Sequence, residues 1–125
     1  MARSIFVVQT NAEAGRDDDF NDWYSNVHIP EILALPGFVA AQRFLLARIP
    51  GDAASESYAY QYLTIYEIDC TPEEAKALLG QAKSGPSPLS TTDTIGPIRS
   101  GTFFTEMGPR VTADAVAGPM AHGAK

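Results

Sequence analysis

The sequence predicts an α+β domain, a four-stranded antiparallel sheet with two helices on one face. Two observations predict it. Four segments are dense in β-branched and aromatic residues, and two others space their apolar residues as helices do. Their order, β-α-β-β-α-β, is the split βαβ, or ferredoxin-like, arrangement. The chain has 125 residues, enough for one core and not for two.

Each element has its own warrant. Ser4–Thr10 reads as the first strand, ending in the polar loop Asn11–Gly15. Asp17, Asp18 and Asp19 precede Phe20, Trp23, Tyr24 and Val27, which is helical spacing with acids in the first turn, where the helix dipole favours them. The three aspartates are read as capping and solvation rather than a metal site. Pro30 is expected to break or kink this helix, with Ile29 pushed towards extended geometry and Glu31–Leu35 forming a short second piece. Leu35-Pro36-Gly37 stops it. Phe38–Ile49 reads as a long second strand. Tyr58–Ile68 reads as the third, with Tyr58, Tyr60, Tyr62, Thr64 and Tyr66 on alternate positions. Thr71-Pro72-Glu73-Glu74 opens the second helix with a cap, a proline in the first turn and a capping-box glutamate. Ser84–Pro97 reads as an ordered loop and Ile98–Met107 as the last strand. The domain is therefore expected to span residues 1–108, with 109–125 a flexible tail.

Hydrophobic residues at 45% and charged residues at 19% exclude a disordered chain. Nine basic residues against fifteen acidic ones give a net charge of −6, which argues against nucleic acid and anionic membrane surfaces as partners. The single cysteine, Cys70, permits no internal disulfide. No apolar run is long enough for a signal or a membrane span, so the expected location is the cytoplasm.

Both faces of the expected sheet carry apolar bulk. Leu63 and Ile65 oppose Tyr60, Tyr62 and Tyr66, and Ile5 and Val7 oppose Phe6 and Val8. Two helices cover one face only. A soluble monomer rarely leaves the other bare, so a twofold homodimer, sheet against sheet, is expected. The alternative cover is the C-terminal tail, whose apolar residues are small.

The segment Phe20–Leu33, with its aromatic pair Trp23-Tyr24, then His28 and Pro30, then Leu35-Pro36-Gly37, resembles the helix signature of the dimeric α+β barrel superfamily. It is most similar to EthD-like proteins. Gln42-Arg43-Phe44 and Tyr62–Ile68 resemble strands of that group, over roughly residues 3–107. The resemblance implies a pocket between the sheet and the first helix. Activities in that superfamily include cofactor-free oxygenation, cyclisation, dehydration and decarboxylation.

His28 is the expected general acid/base, because imidazole exchanges a proton near neutral pH. Its bland reading is a ring packed at a helix break and bonded to a backbone carbonyl. Tyr24, Tyr60, Tyr62 and Tyr66 are candidates to polarise a carbonyl or stack on a ring, or else to pack the core. Arg43 and Gln42 are expected on opposite faces of the second strand. Arg43 would bind a substrate carboxylate or pair with an acid such as Glu67. Asn11 is a candidate to orient a ligand, Trp23 reads as core, and His122 is assigned no role. Cys70 reads as a plain small residue rather than an activated thiol. Phosphate-loop, nucleophile-elbow and zinc-protease motifs are absent, which disfavours nicotinamide, ATP and zinc; haem on His28 is the alternative, with one histidine as thin support, and no cofactor is expected. The leading expectation is a small cofactor-independent enzyme that moves protons on a compact aromatic or polyketide-like carbonyl compound. A non-catalytic ligand-binding dimer is the alternative.

Overall fold

The computed structural model describes residues 2–85 and 88–117. Its strands are β1 (Ser4–Ala12), β2 (Phe38–Leu45), β3 (Tyr62–Ile68) and β4 (Ile95–Thr105). They form one antiparallel sheet in the order β2-β3-β1-β4, the ferredoxin-like topology. Between β1 and β2 the chain runs through α1 (Asp17–Trp23), a π-helical turn (Tyr24–His28) and α2 (Ile29–Leu33). Three further helices are α3 (Ala53–Glu56) between β2 and β3, α4 (Pro72–Ser84) between β3 and β4, and α5 (Ala113–Ala117) after β4. His122 lies outside the described residues.

Pro30 neither breaks the helix nor extends Ile29, whose φ and ψ of −60° and −48° are helical. The π turn explains this. Proline lacks an N–H and its ring collides with the carbonyl four residues back in an α-helix. Upstream of Pro30 the Ile29 N–H instead reaches Tyr24 O, five residues back, which widens the turn ahead of the ring. Helical bonding resumes beyond it, with the Ala34 N–H donating to Pro30 O at 3.1 Å.

β2 and β3 are shorter than expected and β4 begins earlier. β2 stops at Leu45, well before Ile49. The Arg48 guanidinium is drawn to the carbonyls of Ser55 and Glu56 at 3.1 and 2.9 Å, while Asp52 caps α3 through the Ser55 N–H. β3 starts at Tyr62 rather than Tyr58. The Asn11 side chain replaces a ladder there, donating to Ala59 O at 2.8 Å and accepting from the Gln61 N–H at 2.9 Å. β4 gains its early start from the pairing of Ala12 with Ile95 beyond a bulge in β4, between Ile95 and Arg99.

The tyrosine-bearing face is the one the helices cover. Tyr62, Thr64, Tyr66 and Ile68 are buried, and register places them beside Thr10, Val8, Phe6 and Ser4 of β1. Ile32 of α2, Ala75 of α4, Phe38, Tyr66 and Ile68 make one core cluster, and Phe20, Tyr24 and Tyr62 another. The face left open therefore carries Ile5, Val7, Leu63, Ile65, Phe44 and Phe104, not the tyrosines. At the Leu35-Pro36-Gly37 turn, glycine is required twice over. Its φ is +97°, and a Cβ would lie 2.7 Å from Cys70 Sγ. Burial pushes the Cys70 thiol up, which is the opposite of activation.

Candidate active site between the helices and the sheet

The helix-covered side holds a cavity of about 1080 Å³. Its floor comes from β1, β3 and β4, including Phe6, Val8, Tyr66, Gly101 and Phe103. Trp23, Tyr24, His28 and Ile32 form one wall, and α4 supplies another. Ser90 and its neighbours close the rim. They are tied down by Glu31, whose carboxylate accepts from the Ser90 N–H at 3.0 Å and from Ser90 Oγ at 2.7 Å. Gly101 keeps the floor open. A Cβ there would come 3.0 Å from the Phe6 ring, which stacks on Phe103 with centroids 4.4 Å apart.

The π turn sets the geometry of the wall. Bonding across five residues brings side chains five apart into near alignment, as an α-helix does not. His28 thus stacks on Trp23, ring centroids 4.8 Å apart and 21° from parallel, and meets the edge of Tyr24 at 4.9 Å. His28 Nδ1 is buried and has no hydrogen-bond partner among the described residues, and neither does Trp23 Nε1. The expectation of a ring nitrogen satisfied at a backbone carbonyl is not met at Nδ1. An unsatisfied buried polar atom costs about 1–3 kcal/mol, and two of them flank this cavity. Burial, the largest cause, lowers the proton affinity of His28. Lys83 adds to this, while Glu31 opposes it. The imidazole is therefore neutral at pH 7 and free to accept a proton.

Tyr24 and Tyr66 share a hydrogen bond between hydroxyls at 3.1 Å. Burial foremost, then Tyr24, drives the Tyr66 phenol far above its ordinary range, so it acts only as a neutral hydroxyl. Tyr24, Tyr66 and His28 are the sequence-predicted residues that the fold brings to the cavity.

The other candidates lie elsewhere. Arg43 does not meet Glu67, which sits on the opposite face of the sheet. Its guanidinium lies over the rings of Tyr24, Tyr62 and Phe20 at 4.6, 5.4 and 5.7 Å. It donates to Asn21 Oδ1 at 2.9 Å and Ser25 Oγ at 3.2 Å. Tyr62 donates to Asp17 at 2.5 Å and accepts from Asn21. These two residues brace the packed half of the interface beside the cavity. Of the three aspartates, Asp19 pairs with Arg16 at 3.2 Å and Asp17 accepts from Tyr62, and no side chain caps α1. Gln42 is exposed on the open face, opposite Arg43 as expected. Tyr60 lies ahead of β3 with its ring 6.3 Å from Tyr58, and both hydrogen-bonding ends of Asn11 hold backbone.

Sequence reasoning missed Trp23 as a wall residue, and Lys76, Lys83 and Arg99 altogether. A signal existed for the lysines. Lys76, Leu79 and Lys83 repeat at helical spacing, which aligns two cations with the apolar stripe of α4. Nothing local marks Arg99, because its face is decided by its pairing with Thr10 across β1.

Fold and site together define an α+β domain with a largely apolar, histidine-bearing cavity under its helices. The chain belongs to the family described as Domain of unknown function (DUF4286), whose sequence model matches residues 3–115. A crystal structure of an EthD (ethyl tert-butyl ether D) family protein from Bacillus halodurans is similar, with 18% sequence identity and a TM-score of 0.49. The match covers 86% of this chain and 100% of that one. No curated protein matches the chain. Among the described residues, no helix is long and apolar enough to cross a membrane.

Proposed function

We propose that this protein is a small cofactor-independent enzyme that moves a proton on a compact carbonyl compound, with His28 as the base. The observation that carries the reading is a desolvated imidazole on a cavity wall, held between Trp23 and Tyr24 with Nδ1 unpartnered. In the proposed step the imidazole takes a proton from the carbon next to a carbonyl. The C–H bond breaks, an N–H bond forms, and the electron pair enters the carbonyl as an enolate. The enolate then recovers the proton at another position or expels a leaving group on the neighbouring carbon. Hydroxyls such as the Tyr24–Tyr66 pair can donate to the enolate oxygen. Trp23, Phe6 and Phe103 offer flat apolar surface for the rest of the molecule.

A homodimer belongs to the same proposal. Phe44 and Phe104 remain 42% and 54% exposed on the open face, beside the half-buried Ile5, Val7, Leu63 and Ile65. A second copy laid sheet to sheet would cover them. The cavity opens on the other side of the sheet, so the two features are separable. The absence of an internal disulfide suits a cytoplasmic location.

The test is proton exchange at carbon. Small ketones and β-keto acids in deuterium oxide are expected to exchange their α-hydrogens with the wild-type protein and not with His28→Ala. Equal exchange by both proteins would remove His28 from the role. Sedimentation at micromolar concentration addresses the dimer separately, and a stable monomer would refute it.

A further inference from the structure

The chain holds fifteen acidic residues and nine basic ones. The cavity reverses that balance. Lys76, Lys83 and Arg99 line it, and among its described lining residues there is no carboxylate. The cations come from two directions, the lysines from one face of α4 and Arg99 from β4, opposite Thr10. Among the described residues, the ion pairs involve only Arg16, with Asp19 and Asp93, so none of these three cations is ion-paired there. Glu31, the nearby acid, is occupied by the Ser90 N–H and hydroxyl at the rim. A concave surface lined by charges of one sign concentrates their field and favours an anion inside, even where the charged ends reach solvent. The rest of the lining is aromatic and aliphatic, with Trp23, Phe6 and Phe103 presenting ring-sized surface. It holds no glycine-rich loop of the kind that cradles phosphate.

We infer that the natural ligand is a compact organic acid, its apolar or aromatic body against Trp23, Phe6 and Phe103 and its carboxylate held by Lys76, Lys83 and Arg99. This names the substrate class of the site proposed above and rests on that reading for the reaction, but not for binding. Arg43, the cation that the sequence suggests for a carboxylate, is engaged with Asn21, Ser25 and three aromatic rings. The cavity cations take its place.

The chain has one tryptophan, and Trp23 is on the cavity wall, so its fluorescence reports occupancy directly. Benzoate and phenylacetate are titrated against benzamide and phenylacetamide, with phenyl phosphate as a further probe. The acids are expected to bind at least about tenfold more tightly than the amides, a difference of ~1.4 kcal/mol. The preference should shrink in 0.5 M salt, and it should fall in K83Q, K76Q and R99Q, whose exposed side chains leave the fold intact. Equal binding of acid and amide overturns the inference, as does no binding by any probe. Tighter binding of phenyl phosphate overturns the carboxylate assignment. The wild-type comparison needs no variant. An acid preference without α-hydrogen exchange on any carbonyl compound would sink the proton-transfer proposal and leave this one standing. Exchange together with equal binding of acid and amide would do the reverse.

Discussion

The layer between helices and sheet has two halves that meet at Tyr24. On the β2–β3 side it is filled. Phe20 is fully buried, Arg43 lies over three rings, and Asn21, Asp17 and Ser25 take up polar atoms of Arg43 and Tyr62. On the β1–β4 side it is hollow. Gly101 gives the floor no side chain, and two ring nitrogens on or beside the wall have no partner among the described residues. Both halves are rich in aromatic residues. They differ in how far the chain meets its own polar groups. In the filled half Arg43 Nε is buried without a partner among the described residues, but the other guanidinium nitrogens and the Tyr62 hydroxyl are bonded and brace the fold. In the hollow half neither His28 Nδ1 nor Trp23 Nε1 is bonded among the described residues.

The sharpest break of that contrast is a pair of deletions. Phe20→Ala in the filled half should destabilise the protein by about 3–5 kcal/mol, read as a drop in urea midpoint at unchanged slope. His28→Ala in the hollow half should move that midpoint little and reduce α-hydrogen exchange by roughly 10²–10⁴-fold. If His28→Ala unfolds the domain while Phe20→Ala does not, the assignment of the two halves is inverted. Arg43→Met comes next, with an expected loss of about 1–3 kcal/mol of stability, because Asn21 and Ser25 lose their donor. Its affinity for benzoate should stay within about twofold of the wild type.

Acid sharpens the contrast further. The folded-state pKa of His28 lies below its ordinary value, chiefly through burial, so the unfolded chain binds the extra proton first. The contribution of His28 to stability is complete above about pH 6.5 and is lost as pH falls from there through the folded-state pKa. His28→Asn should flatten that slope in urea melts between pH 7.5 and pH 5. In the wild type, exchange activity should decline over the same acidic range as the base becomes protonated. The smallest effect is expected at Gly101→Ala. The Phe6 ring must yield by a few tenths of an ångström, and Trp23 fluorescence titration should show a several-fold loss of affinity with little change in melting temperature.

Much of the fold was legible along the chain. The strand segments alternate as strands do. Thr71 and Glu74 announced α4, and both capping-box bonds are present at 3.1 and 2.9 Å. His28 and Tyr24 were legible as candidates because their spacing puts them on one helical wall whether the turn is α or π. The ends of β2 and β3 were not. They depend on Arg48, whose guanidinium is drawn to carbonyls of the following loop, and on Asn11, which finds backbone far away in sequence and takes the place of a ladder. Tyr60 and Asn11 left the site for that reason. Arg43 was readable as a functional cation but not as a brace, since the rings around it come from three separate elements.

By itself the sequence determined the order of the elements, the caps and turns, and the family. These rest on interactions between residues a few positions apart, which local spacing records. Only the tertiary structure decided that the tyrosines lie beneath the helices, that Pro30 continues a helix through a π turn, and that Lys76, Lys83 and Arg99 line one cavity with His28. Those outcomes turn on strand register and on how one helix lies across a sheet. Register is set by pairs of residues distant in the chain, and shifting it by one position exchanges the two faces of every strand.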